Sequence, residues 1–582
     1  MRRCLPWILA CTWACSADPE PSVDGGPPDS GVQDLGAPDS GPEDSGEAPD
    51  SGPFDSGVAP DVGLPPNRCD ELGLPKRPFN EAQGGLQFGE LAGDFTITTT
   101  TGATWNLKTE WTGCESFVFL VYFPGANGNA LFRSSLDNLV QSPLHAHYFF
   151  TSYELDPAAR QTRLGALGER LQTAIERRTN SPAQEAAQWQ RFHLVADRAN
   201  EIQGSVGEMV RDYLAFAPTS VVDIGDGRQA PAPAPTVFGI DRLQRWDAGD
   251  NLNEYVGGPV SFRMASFLPR FYDFQANLAA RLNDEAETVV VPLLHETRTT
   301  LRLFTRTATL PDPVALASYD RLELDVRIEC DARNPFACSE WDRIARISVC
   351  QNDDCSDRLE LARWITPYWR RGVQHWAIDA SPLLPLLDPG GPKRFFVETG
   401  PEWERATEYR VDLDLRLSRS GSGRRAKGAI LAFRGGVFDA TYPSAATFTF
   451  SPPANATQVN LVSILSGHGQ VSPSNCAEWC DHRHQFVLNR TALEEIRPSA
   501  SVGSGLGCGE RAADGVPPGQ WGNWAPERAY WCPGLPVTPQ TLDLGSAIRL
   551  GQENTLEYSA TFAGARPPGG DIDLSAYVVW YE

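Results

Sequence analysis

Cys476-Ala-Glu-Trp-Cys480 and, far upstream, Cys338-Ser-Glu-Trp-Asp-Arg343 are the two stretches on which the fold of this 582-residue chain turns. Each sets a carboxylate beside an indole on backbone that a disulfide can pin. Fixed carboxylates flanked by flat apolar surfaces suit hydrolysis next to a sugar: one handles the water, the other the leaving group, and the indoles face the sugar rings. A third stretch, Trp521-Gly-Asn-Trp524-Ala-Pro-Glu-Arg528-Ala-Tyr-Trp531-Cys532, adds aromatics and a fixed positive charge.

Working outward, the region from Val289 onward alternates apolar and polar residues: Leu322-Glu-Leu-Asp-Val-Arg-Ile328, Ile344–Val349 and Tyr409-Arg-Val-Asp-Leu-Asp-Leu-Arg416, then Ala429–Phe433, Thr447–Phe450 and Val459–Ser463. A period of two without a helical stretch predicts antiparallel sandwiches. Ser418–Lys427, rich in Gly, Ser and Arg, reads as a linker between two of them. Upstream the pattern is mixed. Phe88–Leu107 predicts a strand and hairpin, Phe117–Phe123 a buried central strand, Asp156–Arg178 and Ile202–Phe216 helices, and Thr236–Ile240 a further strand.

The N-terminus carries Arg2-Arg3, an apolar Leu5–Ala14 and then Cys15-Ser16. This predicts an export signal over 1–15 with Cys15 lipidated; Cys11 is a competing site, and a plain secretory signal is the alternative. Residues 16–66 repeat Pro-Asp-Ser-Gly units with almost nothing to bury, so a disordered acidic tether is expected there rather than a calcium-binding loop. The tether carries part of the formal charge of −24, which excludes a nucleic-acid partner. An exported chain can oxidise Cys69, Cys114, Cys330, Cys338, Cys350, Cys355, Cys476, Cys480, Cys508 and Cys532. A zinc site is the weaker reading, since no Cys-x-x-Cys pair faces another.

From about Leu293 to Glu582 the chain resembles the peptide-N-glycosidase F amidases. The resemblance rests on the two opening stretches together with Ile365-Thr-Pro-Tyr-Trp369, Val397-Glu398-Thr399, Ser466-Gly467 and Asn523-Trp-Ala-Pro-Glu-Arg528, in the family's order. It implies tandem jelly rolls over 288–420 and 427–582, N-glycoproteins or glycopeptides as substrates, and hydrolysis of the amide joining asparagine to N-acetylglucosamine without metal or cofactor. It implies Asp342 as the primary catalytic residue, Glu478 and Glu398 as supporting carboxylates in the same cleft, and Arg343 and Arg528 as site arginines. It also implies disulfides Cys330–Cys338, Cys476–Cys480 and Cys508–Cys532, which leaves Cys350–Cys355 and Cys69–Cys114. Trp341, Trp479 and Trp531 are candidate sugar or peptide contacts, with a buried core role as the alternative. The chain departs from the family at Gly400, where the family has Trp and where Trp403 is the candidate replacement, and at His468 and Gln470 in its Ser-Gly-Trp-Gly-His loop.

Residues 67–287 resemble a thioredoxin-like domain through Gly93-Asp-Phe-Thr96, the hairpin from Gly102 to Trp105 and the strand ending Ile240-Asp241. Pro124-Gly-Ala-Asn127 stands where a redox member carries Cys-x-x-Cys, so thiol chemistry is excluded. A docking or substrate-presenting module is expected, with the β-rich half self-sufficient and the protein monomeric. His482-Arg-His484 could offer two metal ligands, too few for a site; ordinary hydrogen-bonded histidines are expected. Two other functions compete with an amidase. One is a glycan-binding surface protein that lost turnover. The other is a copper-dependent monooxygenase of the same double jelly-roll class, disfavoured because the chain's eight histidines are scattered.

Overall fold

The computed structural model describes residues 68–71, 73–225, 228–249, 251–255, 258–285, 287–298, 303–339, 342–400, 409–421, 424–442, 446–469, 476–500, 502–562 and 569–582. The expected export signal with Cys15, the expected acidic tether, Trp341, Trp403 and Gln470 lie outside them.

The upstream unit is built on a five-stranded sheet. Its spatial order is Trp246–Ala248, Val237–Ile240, Ser116–Tyr122, Ala146–Ser152, Phe192–Arg198. The last three strands run parallel, Val237–Ile240 runs antiparallel to them, and Trp246–Ala248, antiparallel to Val237–Ile240, shares their direction. Ser116–Tyr122 is buried along its whole length, as its unbroken apolar run requires of a central strand. Helix Pro157–Glu176 starts where expected: Asp156 accepts from the Ala158 N–H and Pro157 occupies the first turn. Helix Leu268–Asp284, which was not foreseen, buries Leu268, Phe271, Tyr272, Gln275 and Ala276. It packs on both the upstream sheet and strand Gly372–Asp379 of the β-rich half.

Among the described residues the β-rich half holds four antiparallel four-stranded sheets. The first pairs Val289–Arg298, Arg410–Ser418, Arg321–Cys330 and Gly372–Asp379. The second pairs Leu303–Leu310, Gly391–Glu398, Ile344–Cys350 and Arg358–Ile365. After the linker come Ala426–Val437, Asp571–Tyr581, Gln458–His468 and Gln540–Asp543, then Ala446–Phe450, Asn554–Phe562, His482–Leu488 and Thr491–Ala492. Strand Gln458–His468 is buried on both faces, which explains how the two halves dock. Leu461 and Leu465 join the downstream core, whereas Val462 and Ile464 join the core shared with the first two sheets. Each such side chain taken fully out of water stabilises by roughly 1.5–3 kcal/mol.

The five disulfides among the described residues have the expected pairing: Cys69–Cys114, Cys330–Cys338, Cys350–Cys355, Cys476–Cys480 and Cys508–Cys532. The expectation of a self-sufficient β-rich half fits the packing poorly. One apolar cluster runs continuously from Val118 and Leu120 through Phe271 to Val326 and Trp524.

Candidate active site

The two opening stretches meet at the junction of the β-rich halves. Asp342 follows the Cys330–Cys338 loop and is held by its neighbour: the Arg343 N–H donates to Thr366 Oγ1 at 2.9 Å, and Arg343 O accepts from the Thr366 N–H at 2.9 Å. Glu478 sits on the single helical turn Cys476–Trp479, whose ends the Cys476–Cys480 disulfide ties together. This turn lies so close to strand Gln458–His468 that a Cβ at Gly467 would meet Ala477 O at 1.8 Å, so only glycine fits there. The Ala529 N–H donates to Glu478 O at 2.8 Å and brings the Arg528 loop alongside.

Arg528 is the shared cation. Its Nε lies 3.4 Å from Glu478 Oε1, and one terminal nitrogen lies 3.6 Å from Asp342 Oδ2. The same nitrogen donates to Tyr368 Oη at 3.2 Å, and the Tyr368 hydroxyl in turn bonds the Asp342 carboxylate. The second Glu478 oxygen accepts from the Gly469 N–H at 3.0 Å. The guanidinium carbon stands 4.6 Å from the Trp479 ring centre and 5.1 Å from that of Trp531.

Burial raises both carboxyls. Glu478 rises to about 7, pushed first by desolvation and then by the negative Asp342, against the pull of Arg528 and the Gly469 N–H. Asp342 is raised by desolvation too, with Arg528, the Tyr368 hydrogen bond and Arg343 opposing. The two carboxyls titrate as a pair, so the site takes up a proton at higher pH than free carboxylates do. The arrangement therefore offers two coupled carboxyls and a fixed cation within reach of the same small volume.

The three expected carboxylates do not form one cluster. Glu398 is the cross-strand neighbour of Arg346 and pairs with its Nε at 3.0 Å. Arg346 also holds Asp573 in a two-pronged contact at 3.2 and 2.5 Å. Asp573 further binds Arg363, itself paired with Glu360. The charges acting most strongly on Glu398 are Arg346, Asp573, Arg358 and Glu360; burial raises its carboxyl. The reason is register, because Glu398 ends a strand of the second sheet whereas Glu478 lies beyond the junction. The two groups of charges adjoin through His468 and Gly469. His468 stacks on Trp531 with ring centres 4.9 Å apart and is pushed down to about 3 by burial, so it is neutral. With Arg346, Arg434, Asp571 and Asp573 it lines a cavity of about 500 Å³.

The other expected residues divide. Trp479 is half-buried beside Arg528. Trp531 is buried and its indole N–H donates to Gly467 O at 2.6 Å, so it forms a wall behind the site rather than an open platform. His482 and His484 are core residues. His482 bonds Ala477 O at 2.7 Å and His484 at 2.9 Å, and His484 bonds the Tyr558 hydroxyl at 2.8 Å.

Comparison with known proteins finds relatives of the β-rich half. The family profile for the C-terminal part of peptide-N-glycosidase F matches residues 438–579. The amidase F of Elizabethkingia miricola, a peptide-N(4)-(N-acetyl-beta-D-glucosaminyl)asparagine amidase, is 28% identical over 263 residues, 42% of this chain and 69% of that one. The β-rich half is similar in sequence to the peptide-N-glycosidase F family. Among solved structures, the glycosylasparaginase PNGase F of Flavobacterium meningosepticum is 23% identical, covering 51% of this chain and 96% of that one at a TM-score of 0.41. PNGF-II is 11% identical, covering 53% and 67% at a TM-score of 0.40.

Two site residues stand out that the motifs alone did not assign. Tyr368 links Asp342 to Arg528. Arg346 receives Glu398. The signal for Tyr368 was its place in Ile365-Thr-Pro-Tyr-Trp369; nothing in the sequence marked Arg346.

Proposed function

We propose that the protein is an amidase that hydrolyses the bond between asparagine and the first N-acetylglucosamine of N-glycopeptides and N-glycoproteins. The observation that carries this reading is the Asp342–Arg528–Glu478 group closed by Tyr368. Asp342, the anion, takes a proton from water as its oxygen adds to the side-chain amide carbon. Arg528 faces the charge that develops there. Glu478, protonated near neutrality, is placed to hydrogen-bond the amide or its leaving nitrogen. The C–N bond breaks, the sugar leaves as its 1-amino derivative, and the asparagine becomes aspartate. Glu398 orients Arg346 and the polar wall of the adjoining cavity. The scheme draws on carboxylates, a guanidinium and a phenol, and we infer that it runs without a metal.

The upstream unit, with its strand order and Pro124-Gly-Ala-Asn127 after the central strand, is best read as a thioredoxin-like domain without redox chemistry. Five disulfides suit an oxidising compartment, in line with an exported chain held at the cell envelope by a lipid on Cys15 or secreted. The test is to incubate a fucose-free N-glycopeptide with the protein and weigh the products. Conversion of the asparagine to aspartate with release of the intact glycan supports the amidase. Unchanged glycopeptide that stays bound supports a glycan-binding protein instead.

A further inference from the structure

The turn that carries Tyr368 is gripped from outside the β-rich half. Arg370 is buried, and its guanidinium donates to Asp247 Oδ1 at 2.5 Å and to Pro518 O at 2.9 Å. Asp247 belongs to the edge strand Trp246–Ala248 of the upstream sheet. Four residues on, Asn251 donates from Nδ2 to Gln520 O at 3.0 Å. Gln520 is fully buried and its Oε1 accepts from the Tyr368 N–H at 2.9 Å. Its own amide donates to Pro517 O at 2.9 Å and Pro533 O at 3.0 Å, so it has no freedom to drift. The next residue of the turn, Arg371, lies with its guanidinium carbon 4.4 Å from the Phe88 ring centre of the upstream unit.

We propose that Asp247 and Asn251 of the upstream unit are positioning residues for Tyr368, so that the upstream unit completes the active site through Arg370 and Gln520. The geometry gives each link a purpose. Tyr368 can accept from Arg528 and bond Asp342 only if its ring is held in one place, and two of the groups that fix its backbone, Gln520 and Arg370, are themselves fixed by the upstream unit. Misplacing a catalytic contact by about 1 Å costs on the order of a hundredfold in rate. The catalytic consequence rests on the amidase reading; the mechanical linkage does not.

The experiment uses the full chain with Asn251→Ala, Asp247→Asn and Tyr368→Phe, singly and with Asn251→Ala and Tyr368→Phe combined. Asp247→Asn keeps an acceptor for Arg370 and guards against a variant that fails to fold. The first readout is amide hydrogen exchange over residues 365–371, which does not depend on turnover. We expect exchange there to quicken about tenfold or more in Asn251→Ala, with distant strands unchanged. The second readout is kcat and KM on a short glycopeptide. We expect kcat to fall about tenfold with KM within about twofold, and the double variant to be no slower than Tyr368→Phe, because both act through one group. Unchanged exchange, or losses that multiply in the double variant, would overturn the proposal. A wild-type protein without turnover would refute the amidase reading while the exchange measurement still decides this one.

Discussion

Replacing Arg528 by methionine removes a cation that Asp342 and Glu478 share, and the structure sets the size of the effect. The guanidinium stands 3.6 Å from Asp342 and 3.4 Å from Glu478, whose side chains are 17% and 14% exposed. At such separations a pair near a protein surface interacts by roughly 4 kcal/mol, and each 1.4 kcal/mol moves a pKa by about one unit. Solvent reaching the carboxyls screens part of this. The sign follows from the charge: without Arg528 the carboxylate forms lose their stabilisation, so both groups hold protons to higher pH. In the proposed scheme Asp342 must be ionised to take a proton from water, so the acid limb of the pH–rate profile should move upward by at least about one unit. The rate at neutral pH should fall at least tenfold and recover in part under alkaline conditions. Arg528→Lys retains the charge and should shift the limb less. The assay is kcat/KM for release of glycan from a labelled glycopeptide across pH. An acid limb that stays in place in Arg528→Met, with the protein folded, would refute the shared-cation argument.

Asp342→Asn keeps the shape and removes the proposed base; kcat should drop by at least about two orders of magnitude, and near-normal turnover would sink the assignment. Glu478→Gln should be nearly as severe. Glu398→Gln should be milder, because its partner is Arg346 and not Arg528; steady-state kinetics on one substrate ranks the three. EDTA should leave activity unchanged, and restoration by added zinc or copper would contradict the scheme. A chain beginning at Glu287 loses Asp247, Asn251 and the apolar face of helix Leu268–Asp284. It should be poorly soluble or slow even on a short glycopeptide, and wild-type kcat in a soluble form would show the β-rich half to be independent.

The parts of the fold that sequence reveals are those governed by local rules. Arg321–Cys330 alternates because one face of its strand is buried, and Ser116–Tyr122 is apolar throughout because both faces are. Helix Leu268–Asp284 carries the helical spacing in Leu268, Phe271, Tyr272 and Gln275, but a buried glutamine interrupts its apolar stripe. That glutamine donates to His375 O at 2.9 Å, a partner a hundred residues away that no local pattern encodes. The site divides the same way. Asp342, Glu478 and Arg528 sit in motifs whose residue types announce chemistry. The separation of Glu398 from them follows from the pairing of Arg346 with Glu398 across two strands, and register is not written in either strand alone.

Why the site needs two sandwiches follows from where its charges originate. Asp342 comes from the first half, and Glu478 and Arg528 from the second, so the shared cation exists only when the halves dock. Docking is itself polar at this seam. Arg363 donates to Asp573 O at 2.7 Å, the Ser575 hydroxyl to Glu360 Oε2 at 2.6 Å and the Tyr577 hydroxyl to Glu360 O at 2.9 Å. Directional bonds fix a relative position where apolar packing alone would tolerate sliding. The strand that carries Asp573, Ser575 and Tyr577 pairs with Gln458–His468, whose end delivers Gly469 to Glu478. A slip at the seam would therefore lengthen the contacts of Arg528 and displace the Gly469 N–H together. That would raise the Glu478 carboxyl further and weaken the anion at Asp342, so the placement of the two halves and the protonation of the two carboxyls are set by the same bonds.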